Sequence, residues 1–142
     1  MEFGGNEYLK EVMERSNADE KYLELAKGED ASYTFMIQAE PQKGVEKDIV
    51  LGYTVEDGVT TDIWLGERKT DFTISGKYGV WVNILIGKTG VTKAFLTRKL
   101  KVRGNLMKIL KLAGATERWL EILRMIPTEF HGEYAKDNIE GQ

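Results

Sequence analysis

The sequence predicts an α+β domain in which a five-stranded, mostly antiparallel sheet is covered by short amphipathic helices. Two changes of hydrophobic period support this class: apolar residues follow a helical period before Ala31, alternate from there to Ser75, and follow a helical period again after Gly76. The length of 142 residues is typical of one domain, which buries about two-thirds of its unfolded surface. Helices, strands and helices in this order indicate α+β rather than alternating α/β.

Two helices are predicted in the first thirty residues. The apolar residues of the first share one face, and they are Tyr8, Leu9, Val12 and Met13. Asn17, with Glu20 three positions later, has the form of a capping box, so a second short helix is expected to begin there. Gly28 suits the left-handed position just beyond the end of that helix.

Four strands are predicted next, as an antiparallel meander. Alternating apolar residues surround Phe35 in the first strand and Tyr53 in the second. Asp57-Gly58 supplies the positive φ angles of a hairpin turn, and Val59 to Leu65 forms the return strand. Thr70 to Ser75 is the fourth strand, and such a sheet buries one face only.

Short helices and one edge strand are predicted after Gly76. The Trp81 helix is stopped by Gly87, and a second helix carries Ala94 and Phe95. Leu100 and Val102 alternate with basic residues, which indicates a fifth strand at a sheet edge.

The last two helices are predicted from capping residues. Asn105 caps a helix that Gly114 closes, and Thr116 caps a final helix that ends at Pro127. The prediction is therefore one domain over residues 1–127, followed by a polar and mobile tail over residues 128–142.

The composition excludes several classes of site. Cysteine is absent, so disulfides, zinc–thiolate sites and thiol nucleophiles are excluded, and a single histidine, His131, rules out a His-rich metal site. No apolar run reaches the length of a membrane span, and the first residues lack the pattern of a signal peptide. We expect a cytoplasmic protein without a cofactor or a bound metal.

The sequence offers no convincing catalytic set, so no catalytic residue and no enzymatic activity are predicted. Gly87-Lys88-Thr89 resembles the end of a phosphate-binding loop, but that motif requires glycine where Val82 stands. Asp57 and Asp62 near a hairpin, and His131 in the tail, are more typical of solvated side chains than of catalytic groups.

Charge is unevenly distributed along the chain, although the net charge is only −3. Residues 72–116 carry nine bases and no acid. These bases either face the acidic segments of the same chain or form a surface for anionic lipid headgroups or phosphate. Nucleic acid is not predicted, because no nucleic-acid motif accompanies the bases. Lys99, Lys101 and Arg103 alternate and are expected to project from one face of a strand toward an anionic membrane.

The aromatic and aliphatic residues either fill an ordinary core or enclose a cavity for an apolar ligand. Periodicity does not separate these alternatives, because a core and a cavity wall have the same pattern of apolar residues.

One stretch resembles a known family. Gly87-Lys88, then Ala94-Phe95, then the run from Lys99 to Asn105 (KLKVRGN), then Leu110, is similar in order and spacing to the sterol carrier protein type 2 domain family. The resemblance covers roughly residues 7–126. The family usually has glycine immediately before Lys99, where this chain has Arg98, and arginine in a left-handed turn costs about 1–2 kcal/mol.

The resemblance implies an apolar tunnel between a sheet and its covering helices, which binds a lipid or acyl ligand without catalysis. The family's ligands are sterols, fatty acids, acyl-CoA and phospholipids. By position, the implied wall consists of Phe72, Ile74, Trp81, Ile84, Leu85, Phe95, Leu106, Ile109 and Leu110. Trp119, Ile122, Leu123 and Ile126 would form a closing helix. The alternatives are an interaction or oligomerisation module with a filled core and, third, an acyl-ester hydrolase.

Overall fold

A computed structural model describes residues 1–141. Its centre is a five-stranded sheet whose strands are β1 (Ala31–Gln38), β2 (Ile49–Glu56), β3 (Val59–Leu65), β4 (Phe72–Lys77) and β5 (Lys101–Arg103). The strand order is β3-β2-β1-β4-β5, and all neighbours are antiparallel except β1 and β4, which are parallel. The predicted α+β class with a mostly antiparallel sheet is confirmed.

The predicted meander is wrong at β4, which pairs with β1 and not with β3. The connection over residues 66–71 reaches the outer face of β1, where Thr34 Oγ1 lies 2.8 Å from Thr70 Oγ1 and 3.2 Å from the Arg68 carbonyl oxygen. Gly52 is the neighbour of Thr34 on β2, and a Cβ there would lie 2.5 Å from Cζ2 of Trp64. The free edge of β1 remains open to β4 because β3 occupies the far side of β2.

Five of the six α-helices share one core with the inner face of the sheet, and the second helix packs with the last in a smaller separate cluster. The helices are α1 (Asn6–Ala18), α2 (Glu20–Ala26), α3 (Tyr78–Leu85), α4 (Val91–Leu96), α5 (Leu106–Leu110) and α6 (Ala113–Leu123). No helix of residues 1–141 combines the length and the hydropathy that crossing a bilayer requires.

Two of the predicted caps are wrong. Asp19, not Asn17, caps α2 by accepting a hydrogen bond from the Tyr22 amide, whereas the Asn17 side chain bonds to both backbone polar groups of Thr60 in β3. The last helix begins at Ala113, so Gly114 and Thr116 lie within α6 and neither closes nor caps a helix. Asn105 caps α5 as predicted.

The segment after Pro127 is packed on the domain, which differs from the expected mobile tail. Thr128 pairs with Ile139, and Phe130 is buried against Phe3 with ring centroids 5.3 Å apart. A 3₁₀ helix follows at Gly132–Asp137, and the Tyr134 hydroxyl donates to the buried carboxylate of Glu40. The polar composition of this segment did not indicate the buried Phe130 ring or the partly buried Tyr134–Glu40 hydrogen bond that hold it on the domain.

The turn between α4 and β5 contains Arg98 in a left-handed conformation, with φ of +60°. The glycine-type turn that the resemblance implies is therefore kept, although an arginine occupies it. Strand β5 covers only Lys101–Arg103, so the expectation that Lys99 shares a strand face with Lys101 and Arg103 is wrong. Lys101 and Arg103 alone share that face, opposite Ser75 and Thr73.

Candidate functional site: an apolar cavity

A cavity of about 130 Å³ lies between the inner face of the sheet and the helices. Helices α1, α3, α4, α5 and α6 all contribute apolar side chains to it. The sheet residues around the cavity are Tyr33, Phe35, Ile37, Leu51, Tyr53, Ile63 and Ile74. Such a volume is close to the 150 Å³ or so of engineered apolar cavities that stay dry and bind benzene.

The structure places eight of the thirteen predicted wall residues at this cavity. They are Ile74, Trp81, Ile84, Leu85, Phe95, Ile109, Trp119 and Leu123. Contact of these residues with a ligand stays a prediction.

The other five predicted residues lie elsewhere. Phe72 stacks on Tyr33 with ring centroids 5.2 Å apart, and Ile126 is fully buried in the core. Ile122 packs in a separate cluster with Tyr22, Ala26 and Ala115. Leu106 is half-buried against the core, and Leu110 borders a small depression beside Ile109. These residues share the apolar stripe of the cavity wall but point toward packed neighbours.

Several cavity residues were not among those predicted. Tyr8, Leu9 and Val12 form the α1 side of the cavity, and Phe35 and Tyr53 form its floor. Alternation of apolar residues along β1 and β2 was the signal that could have located the floor. Alternation shows that one face of a strand is buried, but it does not show whether that face contacts packed side chains or a cavity.

Aromatic rings connect the floor of the cavity to its walls. The Phe35 ring lies 5.3 Å from that of Trp81 and 6.2 Å from that of Trp119, and Tyr53 lies 5.6 Å from Trp119. Both indole N–H groups are used within the protein, because Trp81 donates to the Gly76 carbonyl and Trp119 donates to the Ser16 hydroxyl. These rings therefore present mainly apolar surface to the cavity.

Polar groups gather at one end of the cavity, where α2 meets β1. Glu29 accepts a hydrogen bond from the Tyr33 hydroxyl, and Tyr22 and Tyr53 also line this end. Burial raises the pKa of the Glu29 carboxyl, and the bond from Tyr33 partly offsets that rise. Burial, with the neighbouring Glu29 charge, raises the pKa of all three phenols above the ordinary value.

The residues considered for catalysis do not come together. Asp62 pairs with Arg68 at 3.0 Å, whereas Asp57 accepts a hydrogen bond from the Gly28 amide. His131 lies 3.1 Å from Glu2, and neither residue lines the cavity. Gly87 has a left-handed conformation just beyond α3, as expected of a helix stop.

A second candidate site is the surface formed by the nine bases of residues 72–116, which we call the basic stretch. All nine are exposed, and they are Lys77, Lys88, Lys93, Arg98, Lys99, Lys101, Arg103, Lys108 and Lys111. Across residues 1–141, the ion pairs with Asp or Glu are made by other cations. Intramolecular pairing with the acidic segments, one of the two interpretations of this charge, is therefore not observed.

The fold is a five-stranded sheet with short helices that cover an apolar cavity. Residues 9–117 match the model of the SCP-2 sterol transfer family. The chain therefore belongs to this family, as the resemblance of its Gly87–Leu110 stretch implied. A search of curated proteins gave no match to this chain.

Solved structures share the fold. A crystal structure of sterol carrier protein 2 superposes with a TM-score of 0.78 at 18% identity, over 87% of this chain and 98% of the other. The solution structure of a conserved hypothetical protein from Thermus thermophilus gives 0.75 at 19% identity, over 84% and 86%. The apo form of sterol carrier protein 2 from Yarrowia lipolytica gives 0.58 at 20% identity, over 82% and 87%.

Proposed function

We propose that this protein binds and transfers a lipid, held in the cavity between the sheet and the helices, without catalysing a reaction on it. The observation that carries the proposal is the cavity itself, which lies between one face of the sheet and the six helices and is lined mainly by aromatic and aliphatic side chains. Membership in the SCP-2 sterol transfer family supports the same function. Each buried methylene of an acyl chain contributes about 0.8 kcal/mol, so binding needs no strong polar contact.

A lipid chain requires the cavity to expand, because about 130 Å³ holds a molecule the size of benzene. The wall formed by α4 and α5 suits this movement. These helices have six and five residues, and helices of that length depend on tertiary packing for their stability. Phe95 and Ile109 are their contributions to the cavity, so outward displacement of the two helices would enlarge it directly.

Native mass spectrometry of the purified protein tests the proposal. We expect either a lipid that co-purifies or a one-to-one adduct with an added fatty acid or long-chain alcohol. Uptake should also shift tryptophan emission, because Trp81 and Trp119 both line the cavity. A clean mass with no adduct and no saturable emission change would contradict the carrier proposal and favour the interaction module with a filled core. Turnover of an added acyl ester would contradict the absence of catalysis.

We also propose that the basic stretch docks the protein reversibly on anionic membranes during transfer. Lys99, Lys101 and Arg103 are exposed, and none of them forms an ion pair within residues 1–141. Leu96 and Met107, in the same part of the chain, have exposed fractions of 68% and 62%, the largest among the exposed large hydrophobic residues. Bases and apolar side chains together suit a surface of anionic headgroups above an acyl layer.

Vesicle co-sedimentation tests the docking. Binding to anionic but not to neutral vesicles is expected, with loss at high salt and weakening in the double variant Lys99→Glu, Lys101→Glu, because each base near such a surface contributes about 1 kcal/mol. Lys47→Glu with Lys69→Glu makes the same charge change at exposed lysines outside the basic stretch. Equal losses in the two double variants, or equal binding to both vesicle types, would contradict the proposal.

A further inference from the structure

One end of the cavity is lined by tyrosine hydroxyls and a carboxyl group, whereas the rest of the lining is almost entirely apolar. Tyr33 and Tyr53 are direct partners across β1 and β2, and their rings stack with centroids 4.9 Å apart. The two phenols are thus held side by side on the inner face of the sheet. Tyr22 approaches from α2, and Glu29 approaches from the loop between α2 and β1.

Hydrogen-bonding capacity remains unused at this end. Tyr33 donates to Glu29, but among residues 1–141 the hydroxyls of Tyr22 and Tyr53 have no hydrogen-bond partner. A phenol donates one hydrogen bond and accepts others, whereas an ionised carboxylate only accepts. Among the described residues, Trp64 Nε1 is the one buried side-chain polar atom without a partner, so the Tyr22 and Tyr53 hydroxyls are accessible and can bond to a ligand atom in the cavity.

Charge limits what that ligand atom can be. Glu29 brings an acidic group to the cavity, and none of the residues lining the cavity is basic. An anionic head group placed here would face Glu29 in a medium of low dielectric, where like charges repel strongly and have lost their hydration. A neutral hydroxyl instead donates to the Glu29 carboxylate and exchanges hydrogen bonds with Tyr22 and Tyr53.

From this geometry we infer that the cavity is selective for lipids with a neutral hydroxyl head group over fatty-acid anions, and that Glu29 is the residue that determines this selectivity. The inference rests on the proposed function, since it assumes that a lipid enters the cavity. The Glu29 carboxyl accepts one hydrogen bond, from Tyr33, and therefore has capacity for a second donor.

A matched pair of ligands tests the selectivity. We choose 1-dodecanol and dodecanoate, which share one chain length, delivered from a cyclodextrin at about pH 8, where the free acid is ionised. Binding is followed by tryptophan emission, because the Trp119 ring lies 5.6 Å from that of Tyr53. The unmodified protein should bind dodecanol about tenfold more tightly than dodecanoate, which corresponds to about 1.4 kcal/mol.

Two variants test whether the polar end of the cavity causes the preference for dodecanol. Glu29→Gln keeps an acceptor for Tyr33 and removes the charge, so dodecanoate binding should tighten and the preference should largely disappear. Tyr53→Phe keeps the stacked ring and removes one hydroxyl, so dodecanol binding should weaken about fivefold while dodecanoate changes less. Glu24→Gln, at an exposed position of α2, makes the same charge change and should leave both affinities unaltered.

The outcomes separate this inference from the proposed function. If neither ligand binds, the carrier proposal fails and the selectivity fails with it. If both bind but dodecanoate binds as tightly as dodecanol, or if Glu29→Gln and Glu24→Gln behave alike, the selectivity is wrong and the carrier proposal stands.

Discussion

The two ends of the helical layer cover the sheet to different degrees. At one end, the Phe3 ring makes edge contacts with Tyr8, Tyr78 and Phe130, with centroids 5.3 to 5.6 Å apart. At the other end, the short helices α4 and α5 leave Leu96 and Met107 exposed while Phe95 and Ile109 border the cavity. Phe3 and Tyr8 line the cavity as well, so the difference teaches that one void has two kinds of wall: interlocking aromatic rings at one end and helices of five or six residues at the other.

The largest test of this comparison uses two phenylalanines with nearly equal exposure. Phe130 is 4% exposed in the packed end, and Phe95 is 6% exposed at the cavity. Phe130→Ala should lower the free energy of unfolding by about 3–5 kcal/mol. Phe95→Ala should cost less, about 1–3 kcal/mol, because a ring beside a void makes fewer dispersion contacts. Urea unfolding followed by tryptophan fluorescence measures both, and equal losses would show that the two ends are equally packed.

A smaller effect is expected from adding volume at two alanines. Ala94 is fully buried and does not line the cavity, whereas Ala115 does. Ala94→Leu should therefore lower stability by about 1–3 kcal/mol through overpacking and leave uptake of a dodecyl ligand unchanged.

The matched variant, Ala115→Leu, extends into the cavity. It should keep or raise the melting temperature and weaken uptake about fivefold or more, which corresponds to about 1 kcal/mol or more. Thermal unfolding measures the melting temperature, and the tryptophan titration measures the affinity for the ligand. Weakened uptake in Ala94→Leu alone would place the ligand on the other side of α4.

The smallest effect concerns the turn that follows α4. Arg98→Gly should raise the free energy of unfolding by about 1 kcal/mol, since glycine adopts the left-handed conformation without the penalty of a Cβ. Arg98→Asn should give part of the gain, and it removes the same charge. Thr97→Gly, at a φ of −90°, should instead lower stability by about 0.5–1 kcal/mol. A loss of stability in Arg98→Gly would show that the arginine side chain contributes more than the turn costs.

Much of the fold could be predicted from the sequence because the hydrophobic period marks each element. Pairing partners are less visible, since alternation shows that Phe72 and Ile74 lie in a strand but does not show which edge that strand joins. The residue that caps α2 was also ambiguous in the sequence, because tertiary contacts decide it. Asn17 and Asp19 are both good caps, and the tertiary bonds of Asn17 to Thr60 decide between them.

The candidate site was predictable in its apolar character and not in its detail. Phe95 and Phe72 are both predicted to lie on the apolar face of an element, yet Phe95 borders the cavity and Phe72 stacks on Tyr33, because neighbours distant in sequence decide what each ring contacts. Glu29 resembles a solvated loop acid in an acidic segment. Its place beside three phenols depends on tertiary packing that brings Tyr22 of α2 close to Tyr33 and Tyr53 of the sheet, which no local pattern encodes.

The parallel pairing of β1 with β4 has a consequence for the order in which the protein folds. The β2–β3 hairpin and the β1–β2 pair close short loops, whereas the pairing of β4 with β1 closes a loop that contains β2 and β3. Local contacts of this kind form early, and pairings distant in sequence form late. Because α3, α4, α5 and α6 all follow β4 in the chain, we expect most of the helical wall of the cavity to dock after the β1–β4 pair has formed.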